Sequence, residues 1–201
     1  MRNKIVNSLL ALGALFLLLT ACHNIKKTQL VLFESLSFGM SPKSFEEVFG
    51  EADKVVEETE MAYRDTWRAE DPYFYKTGRL FYHYEQITLK DCTGRATFTF
   101  SKSHRLEEAT VHIPVASKVE QKVVLNNLSQ TVKKELEELP DYQSMTTDTV
   151  GLYDDGYRYK VKLKGQQREL WVDVYPTENK YATDTETDKY TIRVDQFLMY
   201  P

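Results

Sequence analysis

The sequence predicts an α+β protein of two layers, with helices packed on antiparallel meanders in two related helix-plus-strands units. Three observations carry that expectation. Apolar residues recur at helical spacing in two segments with capping residues, around 42–49 and 118–139. After each segment come runs in which aromatic or branched residues alternate with polar ones, the mark of half-buried strands. Short polar turns separate those runs, as in hairpins.

Taken in order, the chain starts with Arg2 and Lys4 ahead of an apolar run from Leu9 to Leu19, the layout of a secretory signal. That run is shorter than the ~20 apolar residues that cross a bilayer as a helix. Leu19-Thr20-Ala21-Cys22 then resembles the bacterial lipobox, an apolar and two small residues before a lipid-bearing cysteine. The resemblance implies cleavage after Ala21 and a diacylglyceryl thioether, with an N-acyl group, on Cys22. An ordinary secretory signal with an incidental cysteine is the plainer reading of the same residues. Buried acyl chains contribute about 0.8 kcal/mol per methylene, so two or three of them hold a protein on a membrane essentially without release. His23 stands where Asp would favour retention at the inner membrane, which implies the periplasmic face of the outer membrane. The expected organisation is a signal peptide over 1–21, a tether over 22–29, a first unit over 30–116 and a second over 117–201.

The formal net charge is −4, and the segment up to Ala21 carries two basic and no acidic residues, so the remainder is more acidic still. Such a balance argues against general nucleic-acid binding. With Cys22 acylated, Cys92 has no second cysteine to pair with, and a small, buried side chain is expected there.

Leu30-Val31-Leu32-Phe33 reads as a first strand or an apolar plug. Ser41-Pro42 supplies an N-cap and a proline for the first helical position; Phe45, Val48 and Phe49 share a face, and Gly50 ends the helix. Val55 to Tyr63 alternates weakly. Leu80 to Leu89, Arg95 to Phe100 and Leu106 to Val115 read as strands, the last with Ala109, Val111 and Ile113 on one side. Ser117-Lys118-Val119-Glu120 matches a capping box. From it a long helix carries Val119, Leu125, Leu128, Val132, Leu136 and Leu139 on one face, and Pro140 closes it. Tyr157 to Leu163, Leu170 to Val174 and Tyr190 to Asp195 alternate as the final strands.

Within the first unit, Phe38-Gly39-Met40-Ser41, Phe45-Glu46-Glu47-Val48-Phe49-Gly50-Glu51-Ala52, and the strands with Phe98-Thr99-Phe100 and Leu106 resemble small lipoproteins of the BamE/SmpA type and the related repeats of β-lactamase-inhibitor proteins. The likeness runs from Phe38 to about Val115. It implies a binding or assembly protein, without catalysis.

No residue set presents itself as a catalytic or metal centre. His83, His104 and His112 come without HxxxH, HExxH or CxxC spacing, and Cys92 has no basic neighbour in sequence to lower its pKa. The acidic stretch Asp184 to Asp188 lacks the glycine and terminal glutamate of an EF-hand and reads as a solvated loop. Arg158, Lys160, Lys162 and Lys164 line one side of a strand; they suit either an anionic surface or, more simply, a solvated face that protects a sheet edge.

The most distinctive feature is the aromatic density from Tyr63 to Tyr84. Part of it must be core. Trp67, Tyr73, Phe74 and Tyr75 fall in a segment read as a loop, ringed by Arg64, Arg68, Glu70 and Asp71, and are the candidate partner-binding residues. The same loop folding back over its own sheet is the bland alternative. The expectation from sequence is therefore a non-enzymatic, lipid-anchored envelope protein without cofactor or metal. It binds a protein partner as an assembly accessory or, alternatively, as an inhibitor or immunity lipoprotein against an exported enzyme or toxin.

Overall fold

The computed structural model describes residues 28–63, 72–150, 153–179 and 189–200, and at 61–63, 72–74 and 153–154 the backbone alone. The elements are α1 (Pro42–Phe49), β1 (Lys54–Tyr63), β2 (Pro72–Leu89), β3 (Cys92–Phe100), β4 (Leu106–Val115), α2 (Lys118–Glu137), β5 (Tyr142–Val150), β6 (Tyr153–Leu163), β7 (Glu169–Glu178) and β8 (Tyr190–Met199). All eight strands form one open antiparallel sheet in the order β1-β2-β3-β4-β8-β7-β6-β5.

This corrects the expected α+β class. The described residues form mainly a β-sheet fold with two helices, not two helix-on-meander units. The seam explains why. β4 pairs with β8 in unbroken register from Glu108↔Phe197 to Val115↔Tyr190. Two separate meanders would have left both of those rows of backbone groups without partners; joining them satisfies the donors and acceptors of both strands.

Cross-strand register sorts the side chains into two faces. One aligned row runs Tyr82, Phe98, Ala109, Gln196, Val172 and Tyr159 across six strands, all of them buried. Both helices lie on this side. In α1, Ser41 Oγ accepts from the Ser44 amide at 3.3 Å, Pro42 opens the first turn, and Gly50 stops the helix at φ 99°, a backbone region open to glycine. Phe45 is fully buried, with ring centroids 4.7 Å from Phe98 and 5.4 Å from Phe100. Val48, expected inside, is half exposed; of the three, Phe45 and Phe49 turn into the ring cluster around Phe98.

α2 begins on the expected capping box. Ser117 Oγ accepts from the Glu120 amide at 3.2 Å, while the Glu120 carboxylate accepts from Ala116 N–H at 2.8 Å. Leu125, Leu128, Val132 and Leu136 are buried as predicted. Val119 is not: it is exposed in the first turn. Gln121 points inward instead, and its amide donates to the carbonyls of Thr177 (2.9 Å) and Thr191 (3.0 Å).

Leu30 to Phe33 forms a plug, not a strand. The side chain of Gln196, buried on the helix side of β8, accepts from Val31 N–H at 2.8 Å and donates to the Val31 carbonyl at 2.9 Å. Leu30, Val31 and Phe33 are buried beside it. The start of the described chain is therefore fastened to the strand nearest its end.

Candidate protein-binding face

Alternation turns every second strand residue away from the helices, onto a face that no described helix covers. Two aligned rows define its centre. One runs Phe81, Thr99, Glu108, Phe197, Trp171, Lys160. Its neighbour runs His83, Thr97, Thr110, Asp195, Asp173, Arg158.

A helix-free sheet face is ordinarily small and polar. Here Phe81, Trp171 and Phe197 occupy outward slots and remain half-buried. Each ring is fixed by neighbours. Trp171 lies 6.0 Å from Phe197, with the Arg158 guanidinium and the Lys160 ammonium both 5.0 Å from its centroid, and its Nε1 donates to Glu169 at 3.2 Å. Phe81 carries Arg79 at 5.7 Å and stacks on His83, whose Nδ1 is 3.0 Å from Thr97 Oγ1.

Beside the rings, in the neighbouring row, the polar groups are buried and paired. Asp195 accepts from Thr110 Oγ1 (2.7 Å), the Tyr175 hydroxyl (2.7 Å) and Arg193 Nε (2.9 Å). Asp173 takes both arms of Arg158, Nε at 2.8 Å, and that pairing raises the guanidinium pKa further. Arg79 bridges Glu58 and Glu107, each at 3.2 Å. Glu108 stands apart: burial first, then the nearby Asp195 charge, push its carboxyl pKa up, with Arg79 and Arg193 pulling the other way.

The residues singled out from sequence are distributed as follows. Cys22, Trp67 and the Asp184–Asp188 loop lie outside the described residues. Tyr73, Phe74 and Tyr75 are in β2, not in a loop, paired with Ala62, Met61 and Glu60 of β1. Pro72 at the first strand position needs no ladder donor, and three consecutive aromatics hide the alternation that would have shown a strand. β2 pairs with β3 only from Leu80 onward, so this stretch forms a two-stranded arm beyond the sheet. Tyr75 is exposed there, and its hydroxyl donates to Glu60.

The basic row is not an edge and is not uncompensated. β6 lies between β5 and β7; Arg158 pairs with Asp173, Lys160 with Asp148 and Lys162 with Glu169, while Lys164 falls in the following turn. The histidines are not gathered: His83 and His112 face outward on β2 and β4 with β3 between them, and His104 is in the turn after β3. Cys92 is half-buried, and burial with the Asp91 charge raises its thiol pKa, which favours the weakly nucleophilic neutral form. Among the described residues no cluster of three metal-ligating side chains occurs, and no helix is long and apolar enough to cross a membrane.

Sequence reading missed Phe81, Trp171, Phe197 and Glu108 as surface features. A signal was present for the aromatics. In Leu170-Trp171-Val172 and Val194-Asp195-Gln196-Phe197 a large ring fills the slot that a solvated strand gives to a polar residue. No family model, curated protein or solved structure matches this chain.

Proposed function

We propose that this chain is a non-enzymatic protein-binding module, held by lipid on Cys22 at the periplasmic face of the outer membrane, whose helix-free sheet face engages a partner protein in envelope assembly. The observation that carries the reading is the row Phe81, Phe197 and Trp171: partly exposed rings, Phe81 and Trp171 flanked by cations and Phe197 by Trp171, on a face that no described helix covers. Aromatic anchors set in a charged surround are the composition of interface centres. Because their neighbours already hold them, these rings lose little freedom when a partner arrives. The two-stranded arm with Tyr75 continues from the same edge of the sheet and extends the surface.

The test is retention of a partner from detergent-solubilised membranes on tagged full-length chain, with wild type beside a Trp171→Ala/Phe197→Ala double variant. A protein held in constant proportion by wild type, and at least about tenfold less by the double variant, is expected, since interface anchors typically cost 2 kcal/mol or more on truncation. Equal retention, or no partner at all, contradicts the proposal. The anchor is tested separately: globomycin should accumulate a precursor of the wild type and of no Cys22→Ala variant.

A further inference from the structure

We propose that Glu108 is the recognition point for a basic side chain, lysine or arginine, presented by the protein partner. The inference rests on reading the helix-free face as the binding surface, and adds the chemistry of what docks there.

Charge accounting across the face leads to this residue. Arg79 is held by Glu58 and Glu107, Arg193 by Asp195, Arg158 by Asp173, Lys160 by Asp148 and Lys162 by Glu169. Each of these five cations thus has a carboxylate, and Glu108, at the middle of the row, is held by none of them. Among the described residues the Glu108 side chain makes no hydrogen bond and no ion pair, its backbone alone being paired, to β3 and β8. Its oxygens are still reachable, because no fully buried side-chain oxygen of the described residues lacks a partner.

Its position gives the charge a shape. Glu108 is half-buried in the aligned row with Thr99 on one side and Phe197 on the other; Phe81 and Trp171 stand one strand further out in each direction. A guanidinium or ammonium entering this row meets the Glu108 carboxylate with the Phe197 ring in the adjoining slot, combining a charge-assisted hydrogen bond with contact to an aromatic neighbour. An anionic group would meet Glu108 beside Arg79 and Arg193, both already held by Glu58, Glu107 and Asp195. The raised pKa of Glu108 fits the same picture: burial and the Asp195 charge outweigh the pull of Arg79 and Arg193, which are held by other carboxylates.

The experiment pans a displayed library of random 12-residue peptides on the immobilised full chain, then measures the recovered peptides against wild type, Glu108→Gln and Trp171→Ala. The glutamine variant keeps size and shape, and an unchanged far-ultraviolet spectrum and cooperative melt exclude misfolding as the cause of any loss. Peptides enriched in Lys or Arg are expected, weakened about tenfold or more by Glu108→Gln and by replacing their own basic residue with citrulline or norleucine. Peptides that need Trp171 but are indifferent to Glu108 and carry no basic enrichment overturn this inference and leave the binding face intact. Peptides indifferent to both substitutions, or an empty panning, overturn both.

Discussion

The two faces of the one sheet are built on opposite terms. On the helix side, Phe98, Val111, Val172, Val194 and their row-mates are closed off by Phe45, by the Leu125–Leu136 stripe of α2 and by the Leu30–Phe33 plug. On the other side, Thr99, Thr110, Asp173 and Asp195 are also buried with no described helix above them; Asp195 is tied to Thr110 and Tyr175, and Asp173 to Arg158, on the same face. The first face spends its apolar area on folding. The second satisfies its polar groups internally and leaves rings at the surface, so its spare apolar area is available to another molecule.

That contrast is open to breaking in several places. The largest effect is expected on the helix side. Phe98→Ala empties the ring cluster around Phe45, Phe33, Phe49 and Tyr84, and urea unfolding should show a loss of about 3–5 kcal/mol. Asp195→Ala is next, at about 2–3 kcal/mol, because it strands Arg193, Thr110 and Tyr175 on the free face. A loss on the scale of Phe98→Ala would show that the free face carries the fold as well. Gln196→Ala should cost about 1–2 kcal/mol, and amide exchange at Val31 should accelerate more than exchange in β8 itself.

Glu108→Gln is the smallest change and has the opposite sign. A carboxyl whose folded pKa lies above its unfolded value binds its proton more tightly when folded, so its ionised form at neutral pH opposes folding. The groups facing it are Asp195 and Arg193 on β8, Arg79 on β2 and Glu107 on its own strand. The variant should therefore melt slightly higher than wild type at pH 7, with the difference vanishing below the unfolded carboxyl range, near pH 3. A lower melting temperature at pH 7 would mean that the ionised carboxylate stabilises the fold and is not held in reserve.

Much of this was legible in the sequence, for reasons that can be named. Both helices declared themselves through Ser41-Pro42, Gly50 and the Ser117–Glu120 box, because caps are local chemistry. β3, β4, β7 and β8 declared themselves through alternation against a covered face. β5 did not: Gln143-Ser144-Met145-Thr146-Thr147-Asp148-Thr149 is an edge strand exposed along most of its length, so neither face demands apolar residues and no period is imposed. The β4–β8 seam was invisible because nothing local records which of several antiparallel strands meet across 80 residues of chain. Expecting Tyr73, Phe74 and Tyr75 to lie in a loop followed aromatic density with charged neighbours and no visible alternation, whereas they are in β2; the free-face rings were sparse, one per strand, and only register brought Phe81, Phe197 and Trp171 into one row. Glu108 carried no signal at all, since a glutamate at an outward strand position is what a solvated face would show.

The central claim is that contact with another protein is made through the helix-free face. Photo-crosslinking in intact envelopes addresses it most directly, with p-benzoylphenylalanine placed at Phe197 or, on the exposed side of α2, at Val123. A discrete, light-dependent adduct is expected from position 197, and none of comparable yield from position 123. Adducts from the α2 position, with position 197 silent, would contradict it.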